Sequence, residues 1–395
     1  MAMKSGGILV SPLILAVVSI LAIHSMHLLV RCSHFYCRKK KCEALSYGDV
    51  ALECAKPILG ERADRARTVV NVFLVITQVG FCSIYLVLGS STIVEIAGLD
   101  EGYRRIMIFL LTIPAILFSF IRSLERLAYV SFLANLLCLF GLVSIFQYCG
   151  RNLQDVSTFP LFSNPKDLPM CLSMMIFSYE SIGVILPLEN NMRNPADFTW
   201  VVNLGMGIST VLFFAMGLLG YIAFGENIDG SISLNLPDTP FYDAVKIGYA
   251  LAMFFTYFIQ FYVPMQILLP SLLSRYQRRG GSCFEYSFRA FVVVLTAVFG
   301  AAIPQVENFI SLIGAVASSS LALIFPALFH ILTFKRNGLL WWEYVKDVFI
   351  MVVGFTGFVL GGYTSVVNII AGFETHHSPI HNSTTVTPPL SFSHA

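Results

Sequence analysis

The chain has 395 residues, of which 56% are hydrophobic and only 12% are charged, and its formal net charge is +2. Soluble domains carry about 25% charged residues. Together with a mean hydropathy of +0.75, this composition excludes an ordinary soluble domain and predicts a protein that crosses a membrane many times. The small net charge gives no indication of a nucleic-acid partner.

Apolar stretches long enough to cross a bilayer recur along the chain, since a membrane helix needs about 20 mainly apolar residues. They predict an all-α polytopic membrane protein with about ten transmembrane helices. The predicted spans are 7–30, 68–97, 106–121, 127–148, 169–189, 200–224, 243–270, 287–303, 308–333 and 347–371. We divide the chain into a transmembrane domain, 1–373, and a polar tail, 374–395.

Lysine and arginine accumulate in alternate loops. The loops 31–67, 122–126, 190–199, 271–289 and 334–346 hold 19 of the 25 basic residues, which leaves six for the opposite face. Because basic loops stay in the cytosol, both termini are predicted to be non-cytosolic, luminal or extracellular. A glycosylation sequon at Asn382 falls in the tail and agrees with this orientation.

The fifth apolar segment contains a polar interruption centred on Glu180. The stretch Phe177-Ser-Tyr-Glu-Ser-Ile-Gly183 places a carboxylate, hydroxyls and a glycine near the middle of the span, and Pro187 follows one turn later. A carboxylate at that depth costs roughly 2.5–3.5 kcal/mol unless it is paired, hydrated or protonated. Interrupted membrane helices are typical of substrate sites in secondary transporters. A structural carboxylate held by a neighbouring helix is the alternative.

Other polar side chains in the spans give further candidates. His24 and His27 are three residues apart and share a helix face. Because imidazole titrates near neutral pH, His24 is a candidate proton carrier, with an interhelical hydrogen bond as the alternative. Gln78 is assigned to helix–helix contacts.

Two further segments bear on the interior of the protein. The aromatic segment 254–264 either lines an apolar pocket or packs against lipid and neighbouring helices. The small residues between Ser311 and Ser320 predict close packing of helices and are compatible with a moving helix. The sequence has no nucleophile elbow, zinc-binding helix or phosphate-binding loop, so we expect neither an enzyme nor a metal or cofactor site.

Several motifs together resemble the proton-coupled amino acid transporters (solute carrier family 36) of the amino acid/auxin permease superfamily. The resemblance extends from Ala2 to about Phe373. The stretches that carry it are Ile23-His-Ser-Met26, Tyr47-Gly-Asp49, Thr77-Gln-Val-Gly-Phe-Cys82, Leu186-Pro-Leu-Glu-Asn190, Leu234-Asn-Leu-Pro237, Phe255-Thr-Tyr257, Gln260-Phe-Tyr-Val-Pro264 and Ser318-Ser-Ser-Leu-Ala-Leu323.

The resemblance implies an eleven-span fold built on a five-plus-five inverted repeat. It also implies symport of a proton with glycine, alanine or proline across a plasma, lysosomal or endosomal membrane. The segment around Glu180 is similar to the break in the family's sixth helix, so Glu180 is the expected proton-coupling residue. His24 remains the second candidate for that role because of its imidazole, although it belongs to the second helix and does not match the family's coupling histidine. The implied substrate-binding residues are Ser178, Tyr179, Glu180, Ser181, Gly183, Tyr85 and Tyr257.

Two departures from the family pattern qualify these expectations. Residues 1–7 are similar to the linker after the family's first helix, so we expect a ten-span form without that helix. This leaves a second hypothesis, a transport-incompetent protein that regulates or senses nutrients, or a fragment of a longer transporter. Cys149 remains from the family's luminal cysteine pair, but Thr239 stands at its partner's position and no disulfide is expected. The oligomeric state and the preferred amino acid stay open.

Overall fold

The computed structural model describes residues 1–122, 124–228, 231–276, 281–302, 305–335 and 337–377. Within these ranges the chain is helical and contains no strand. Ten of the helical segments in these ranges are long and apolar enough to cross a membrane. The predicted all-α fold with ten spans is therefore confirmed, whereas Asn382 lies outside the described residues.

Fifteen α-helices form the described part of the chain. They are α1 Ala2–Gly6, α2 Val10–Lys40, α3 Tyr47–Leu59, α4 Asp64–Ile96, α5 Arg104–Ser119, α6 Leu124–Arg151, α7 Leu168–Ser178, α8 Ile182–Asn190, α9 Phe198–Phe224, α10 Pro240–Tyr276, α11 Gly281–Ala302, α12 Val306–Ile313, α13 Phe325–Phe334, α14 Trp341–Thr356 and α15 Gly362–His377. Three π-helical segments, Gly314–Ser318, Ser320–Ile324 and Gly357–Gly361, connect α12 to α13 and α14 to α15. Short 3-10 turns occupy Gly60–Ala63, Glu101–Tyr103, Val156–Thr158, Pro165–Asp167, Pro195–Asp197, Gly225–Asn227 and Ile232–Asn235.

The first long helix, α2, continues ten residues beyond the predicted end of its span. It ends at Lys40, where Lys41 adopts a left-handed conformation with φ 56° and its N–H bonds to the Cys37 carbonyl. The extension consists largely of polar and basic residues, which a hydropathy criterion assigns to the loop. In the structure these residues therefore continue the helix to Lys40 and do not form a loop.

The helix α3 lies in a region that hydropathy places in a loop. Ser46 begins it with a capping box, in which the Asp49 N–H donates to the Ser46 hydroxyl at 3.2 Å and the Ser46 N–H donates to the Asp49 carboxylate at 3.4 Å. Val50, Ala51 and Cys54 form its buried face. The Ser-x-x-Asp signal was present in the sequence and identifies the helix start.

The described residues form two large apolar cores and two smaller apolar clusters. The first is built mainly from α2, α3, α7, α8 and α13. The second is built mainly from α4, α10, α11 and α12. Large apolar side chains cover much of the outward faces of α5, α6, α9 and α14, as expected for surfaces in contact with lipid.

The interface of α7 with the π-helical segments depends on small residues. A Cβ atom at Gly314 would overlap the Ser173 carbonyl oxygen, and one at Gly361 would overlap the Ser173 hydroxyl. The close packing predicted for the small-residue segment is therefore confirmed, and π-helical turns are the local geometry that accompanies it.

We expect Lys246→Met to lower the free energy of unfolding by about 1–3 kcal/mol, because it removes charged hydrogen bonds from a buried site. The Lys246 side chain is fully buried, and its Nζ lies 2.5 Å from Glu95 Oε1 and 3.0 Å from Asp238 Oδ1. Thermal unfolding of the purified protein in detergent measures the change. Asp238→Asn is the control: the Asp238 side chain is 88% exposed, so its loss should cost less than about 1 kcal/mol. Equal losses for both variants would contradict a dominant role of the buried ammonium.

Candidate substrate site

The fifth span is interrupted at Tyr179–Ser181. Helix α7 ends at Ser178 and α8 begins at Ile182, which confirms the predicted break. The Tyr179 and Glu180 N–H groups donate to carbonyls three residues back, at 3.2 and 3.1 Å, and the α-helical ladder then stops. Backbone groups released in this way are tolerated at membrane depth only where protein or a wet cavity surrounds them.

The Glu180 carboxyl lies at this break and is only 8% exposed. Within the described part of the chain, neither of its oxygens has a hydrogen-bond partner. The side chain faces the hydroxyl of Ser318, which belongs to the first π-helical segment. This hydroxyl is also buried, and no described residue forms a geometrically well-defined hydrogen bond with it. A buried carboxyl and a buried hydroxyl thus meet across the gap between two distorted helices.

Tyr179 and Ser181 face the other way, toward α9. The Tyr179 hydroxyl donates to Thr210 Oγ1 at 3.0 Å, and its ring packs edge-on against Phe213 with centroids 5.6 Å apart. The Ser181 hydroxyl lies 3.9 Å from Met206 Sδ. Alternate residues of the break therefore contact opposite sides of the bundle.

Gly183 brings α8 against α4. A Cβ atom there would lie 2.9 Å from Leu74 Cδ2 and 3.8 Å from Gln78 Nε2. Gln78 is buried, and its Oε1 has no hydrogen-bond partner among the described residues. Gln78 therefore lies next to the break and also at the contact between α4 and α8. Ser318 was not assigned to the site from sequence, although its small-residue segment was noted.

Comparison with known proteins identifies the class of the molecule. The family model described as "Transmembrane amino acid transporter protein" matches residues 1–367. The chain belongs to this transporter family. The transporter is therefore an integral membrane protein and not an enzyme, and its interrupted span lies inside the matched region.

Two animal proteins are similar to the transporter over most of its length. The "Proton-coupled amino acid transporter-like protein pathetic" of Drosophila melanogaster is 29% identical over 373 residues, which are 90% of this chain and 78% of the fly protein. The "Probable amino acid transporter skat-1" of Caenorhabditis elegans is 28% identical over 400 residues, covering 94% of this chain and 86% of the nematode protein.

Ser178 lines a cavity next to the break of the transporter. This cavity has a volume of about 210 Å³ and lies between the N-terminal residues, α7 and α9. Met3, Met175 and Phe213 are among its lining residues. Ser178 itself donates to the Met174 carbonyl at 2.9 Å, as serine commonly does inside a membrane helix.

Tyr85 and Tyr257 lie in a different cavity. They line an apolar space of about 290 Å³ between α4, α5 and α10, and none of residues 178–183 contributes to it. The Tyr257 hydroxyl lies 3.0 Å from Thr296 Oγ1. Aromatic contacts connect this cavity to the break, since Phe81 lies 4.6 Å from Phe177 and 6.5 Å from Tyr85 between ring centroids. The predicted site residues thus fall into two neighbouring groups.

His24 lies on α2, among charged groups of α13 and α14. Its Nε2 is buried and has no hydrogen-bond partner in the residues that the structure describes. Its titratable neighbours are Lys346 and Asp347 of α14, His27 of its own helix and His330 of α13. His330 and Asp347 form a fully buried pair, with Nδ1 and Oδ2 2.6 Å apart. His24 is therefore placed beside a titratable cluster that the sequence did not group, and not beside Glu180.

Proposed function

We propose that the chain is a proton-coupled symporter of small neutral amino acids such as glycine, alanine and proline. The observation that carries this proposal is the unpaired, buried Glu180 carboxyl at the break of an interrupted span. The names of the two relatives support it, because one is called a proton-coupled amino acid transporter-like protein and the other a probable amino acid transporter. Alternating access occurs around the break at Tyr179–Ser181.

The two helix ends at the break suit a zwitterion. The Val184 N–H at the start of α8 already donates to the Ser181 carbonyl at 3.0 Å. The N–H groups of Ile182 and Gly183 have no partner within the helix, and we propose that they attract a substrate carboxylate. The last carbonyls of α7 carry the opposite partial charge and attract a substrate ammonium group. The hydroxyls of Ser178 and Ser181 add donors and acceptors at the same level. Close packing around Gly183 favours a substrate with a small side chain.

Glu180 carries the coupled proton in this proposal. A negative charge at this depth needs a positively charged partner. A proton taken up from the outer solution neutralises the carboxylate, so that no such partner is required. The proton binds to a Glu180 carboxyl oxygen before the transporter changes to its inward-open state. It is released to the cytosol after the substrate has been released. His24 is the second candidate, since its unpaired imidazole nitrogen adjoins the His330–Asp347 pair.

The π-helical turns supply the interface that moves. π-Helical turns inside longer helices are frequent at functional sites. Here Gly314 and Gly361 bring two of these segments against Ser173 of α7, and Gly357 lies against Ile176 of the same helix. We propose that α7 shifts along its interface with these π-helical segments when the substrate site changes its access from one side of the membrane to the other.

The orientation follows the distribution of basic residues. We propose that the basic loops face the cytosol and that the tail with Asn382 faces the lumen or exterior, where the asparagine is glycosylated. The transporter then operates in the plasma membrane or in a lysosomal or endosomal membrane.

Uptake by proteoliposomes tests the proposed function. We expect an inward proton gradient to accelerate uptake of labelled glycine, alanine and proline by the purified full-length chain, and a protonophore to remove the acceleration. Leucine and glutamate serve as larger and charged comparison substrates and should be taken up weakly. Absence of uptake in vesicles that still bind glycine would refute symport and favour the sensing hypothesis. Uptake driven equally by a sodium gradient would refute proton coupling.

A further inference from the structure

One face of α2 carries a row of cationic or titratable side chains where the helix leaves the apolar region. His27, Arg31, His34 and Arg38 recur at intervals of four, three and four residues, which places them on the same side of the helix. Lys39 follows next to Arg38. This face does not contribute to the break around Glu180 or to the tyrosine-lined cavity.

The first three members of the row are fixed to three different helices. His27 Nε2 lies 2.8 Å from Asn203 Oδ1 of α9. The Arg31 guanidinium donates to Glu343 Oε1 of α14 at 3.0 Å, and His34 hydrogen-bonds to Glu189 of α8. Side chains held in this way form a preorganised wall, with the acidic partners of Arg31 and His34 already engaged.

Arg38 and Lys39 differ from Arg31 and His34 because neither has an acidic partner among the described residues. Both are exposed, and neither forms an ion pair within the described ranges of the chain. Lys40, the next residue, is by contrast bound to Glu53 with Nζ 2.7 Å from Oε1. Two positive charges thus lack a countercharge at the end of the row.

All five of these side chains line one open cavity of about 820 Å³. They are His27, Arg31, His34, Arg38 and Lys39. No acidic residue is among the described residues that line it. The charge of this space therefore fits an anion and does not fit a zwitterionic amino acid with no net charge.

The remaining lining residues place the cavity at a membrane interface. Phe35 and Phe334 supply an apolar wall, with the Arg31 guanidinium 4.8 Å from the Phe334 ring centroid. Thr199 lines the α9 side, and the adjacent Trp200 is 67% exposed. Trp341, at the start of α14 beyond Phe334, is 80% exposed. Exposed tryptophans of this kind mark the headgroup level of a bilayer.

We propose that this cavity binds the phosphorylated headgroup of a phosphoinositide in the leaflet that faces the basic loops. Basic pockets between membrane helices on the cytoplasmic side suit such headgroups. A phosphate monoester carries about −1.5 to −2 charge at neutral pH, which matches the two uncompensated charges of Arg38 and Lys39. Arginine supplies paired donors to phosphate oxygens, and the acyl chains lie along the lipid-facing surface beside Trp200.

Binding of a labelled phosphoinositide to the reconstituted full-length protein tests this proposal. The protein is placed in phosphatidylcholine vesicles with a trace of fluorescent phosphatidylinositol bisphosphate, and energy transfer from tryptophan reports its occupancy. Arg38→Gln combined with Lys39→Gln should weaken binding about 30-fold. Arg62→Gln combined with Arg65→Gln is the matched control: it removes the same charge from exposed positions outside the cavity and should leave affinity unchanged.

Three results would overturn the proposal. Equal affinity for phosphatidylserine at matched total charge would show attraction to any anionic surface. Equal affinity for soluble inositol trisphosphate would make the ligand a free phosphate and not a lipid. Equal loss in the test and control variants would show that net charge, and not this cavity, determines binding. Thermal unfolding of both double variants confirms that each remains folded before the comparison is made.

Discussion

Proton-driven uptake of glycine by reconstituted vesicles is expected to fall to the level of protein-free vesicles when Glu180 is replaced by glutamine. The amide has almost the same shape as the carboxyl but cannot take up or release a proton. The Ser318 hydroxyl faces the Glu180 carboxyl, and the amide oxygen of glutamine can still accept a hydrogen bond from that hydroxyl, so the folded protein should persist. The initial rate of labelled glycine uptake at acidic outer pH measures the effect.

Exchange of glycine without a proton gradient is the control for this variant. If Glu180 carries the proton, Glu180→Gln should still exchange internal for external glycine, since a permanently neutral side chain mimics the protonated state. His24→Gln should retain the acceleration by acid, because His24 lies beside Asp347 and His330 and not at the break. Undiminished acid-driven uptake in Glu180→Gln would remove Glu180 from the coupling role. Loss of acid-driven uptake in His24→Gln but not in Glu180→Gln would assign the proton-coupling role to His24.

A single methyl group added at Gly314 should destabilise the folded protein. The new Cβ would overlap the Ser173 backbone carbonyl, and backbone cannot rotate away as a side chain can. We expect Gly314→Ala to lower the free energy of unfolding by about 1–3 kcal/mol, although alanine by itself favours a helix by about 1 kcal/mol over glycine. Thermal unfolding in detergent and the yield of monodisperse protein measure the loss.

Gly361→Ala provides a matched comparison, because its Cβ would meet the Ser173 hydroxyl instead of the backbone. Ser173→Ala removes that hydroxyl, which otherwise donates to the Pro169 carbonyl at 2.8 Å. Adding Ser173→Ala should therefore restore most of the stability lost in Gly361→Ala, and none of the stability lost in Gly314→Ala. At Gly207 an added Cβ would meet no described atom within 4 Å apart from the backbone of its own helix, so Gly207→Ala should not destabilise the protein. Equal rescue of both glycine variants would contradict the backbone clash.

The spans and the broken helix could be predicted because they depend on local properties of the chain. Length and hydropathy determine which segments cross a bilayer, and the polar residues around Glu180 predicted the interruption between Ser178 and Ile182. The extension of α2 to Lys40 and the helix α3 were missed for the same reason. Hydropathy detects contact with lipid and does not distinguish a solvated helix from a loop.

The neighbours of each site residue could not be predicted, since they depend on how the helices are arranged in space. The sequence grouped Tyr85 and Tyr257 with Glu180, whereas the structure places them in an adjacent cavity. Ser318 lies opposite Glu180 although 138 residues separate them in the sequence. No periodicity in a single helix encodes such a pairing. It arises when two distorted helices pack through small residues.

In the proposed mechanism a proton moves with the amino acid through Glu180, so entry of glycine should acidify the interior of a vesicle. Vesicles containing the transporter and an internal pH-sensitive dye receive external glycine with no imposed proton gradient, and valinomycin with potassium prevents build-up of charge. We predict that glycine acidifies the interior for the unaltered chain and not for Glu180→Gln. Glycine entry without acidification in the unaltered chain, or equal acidification in Glu180→Gln, would contradict this mechanism.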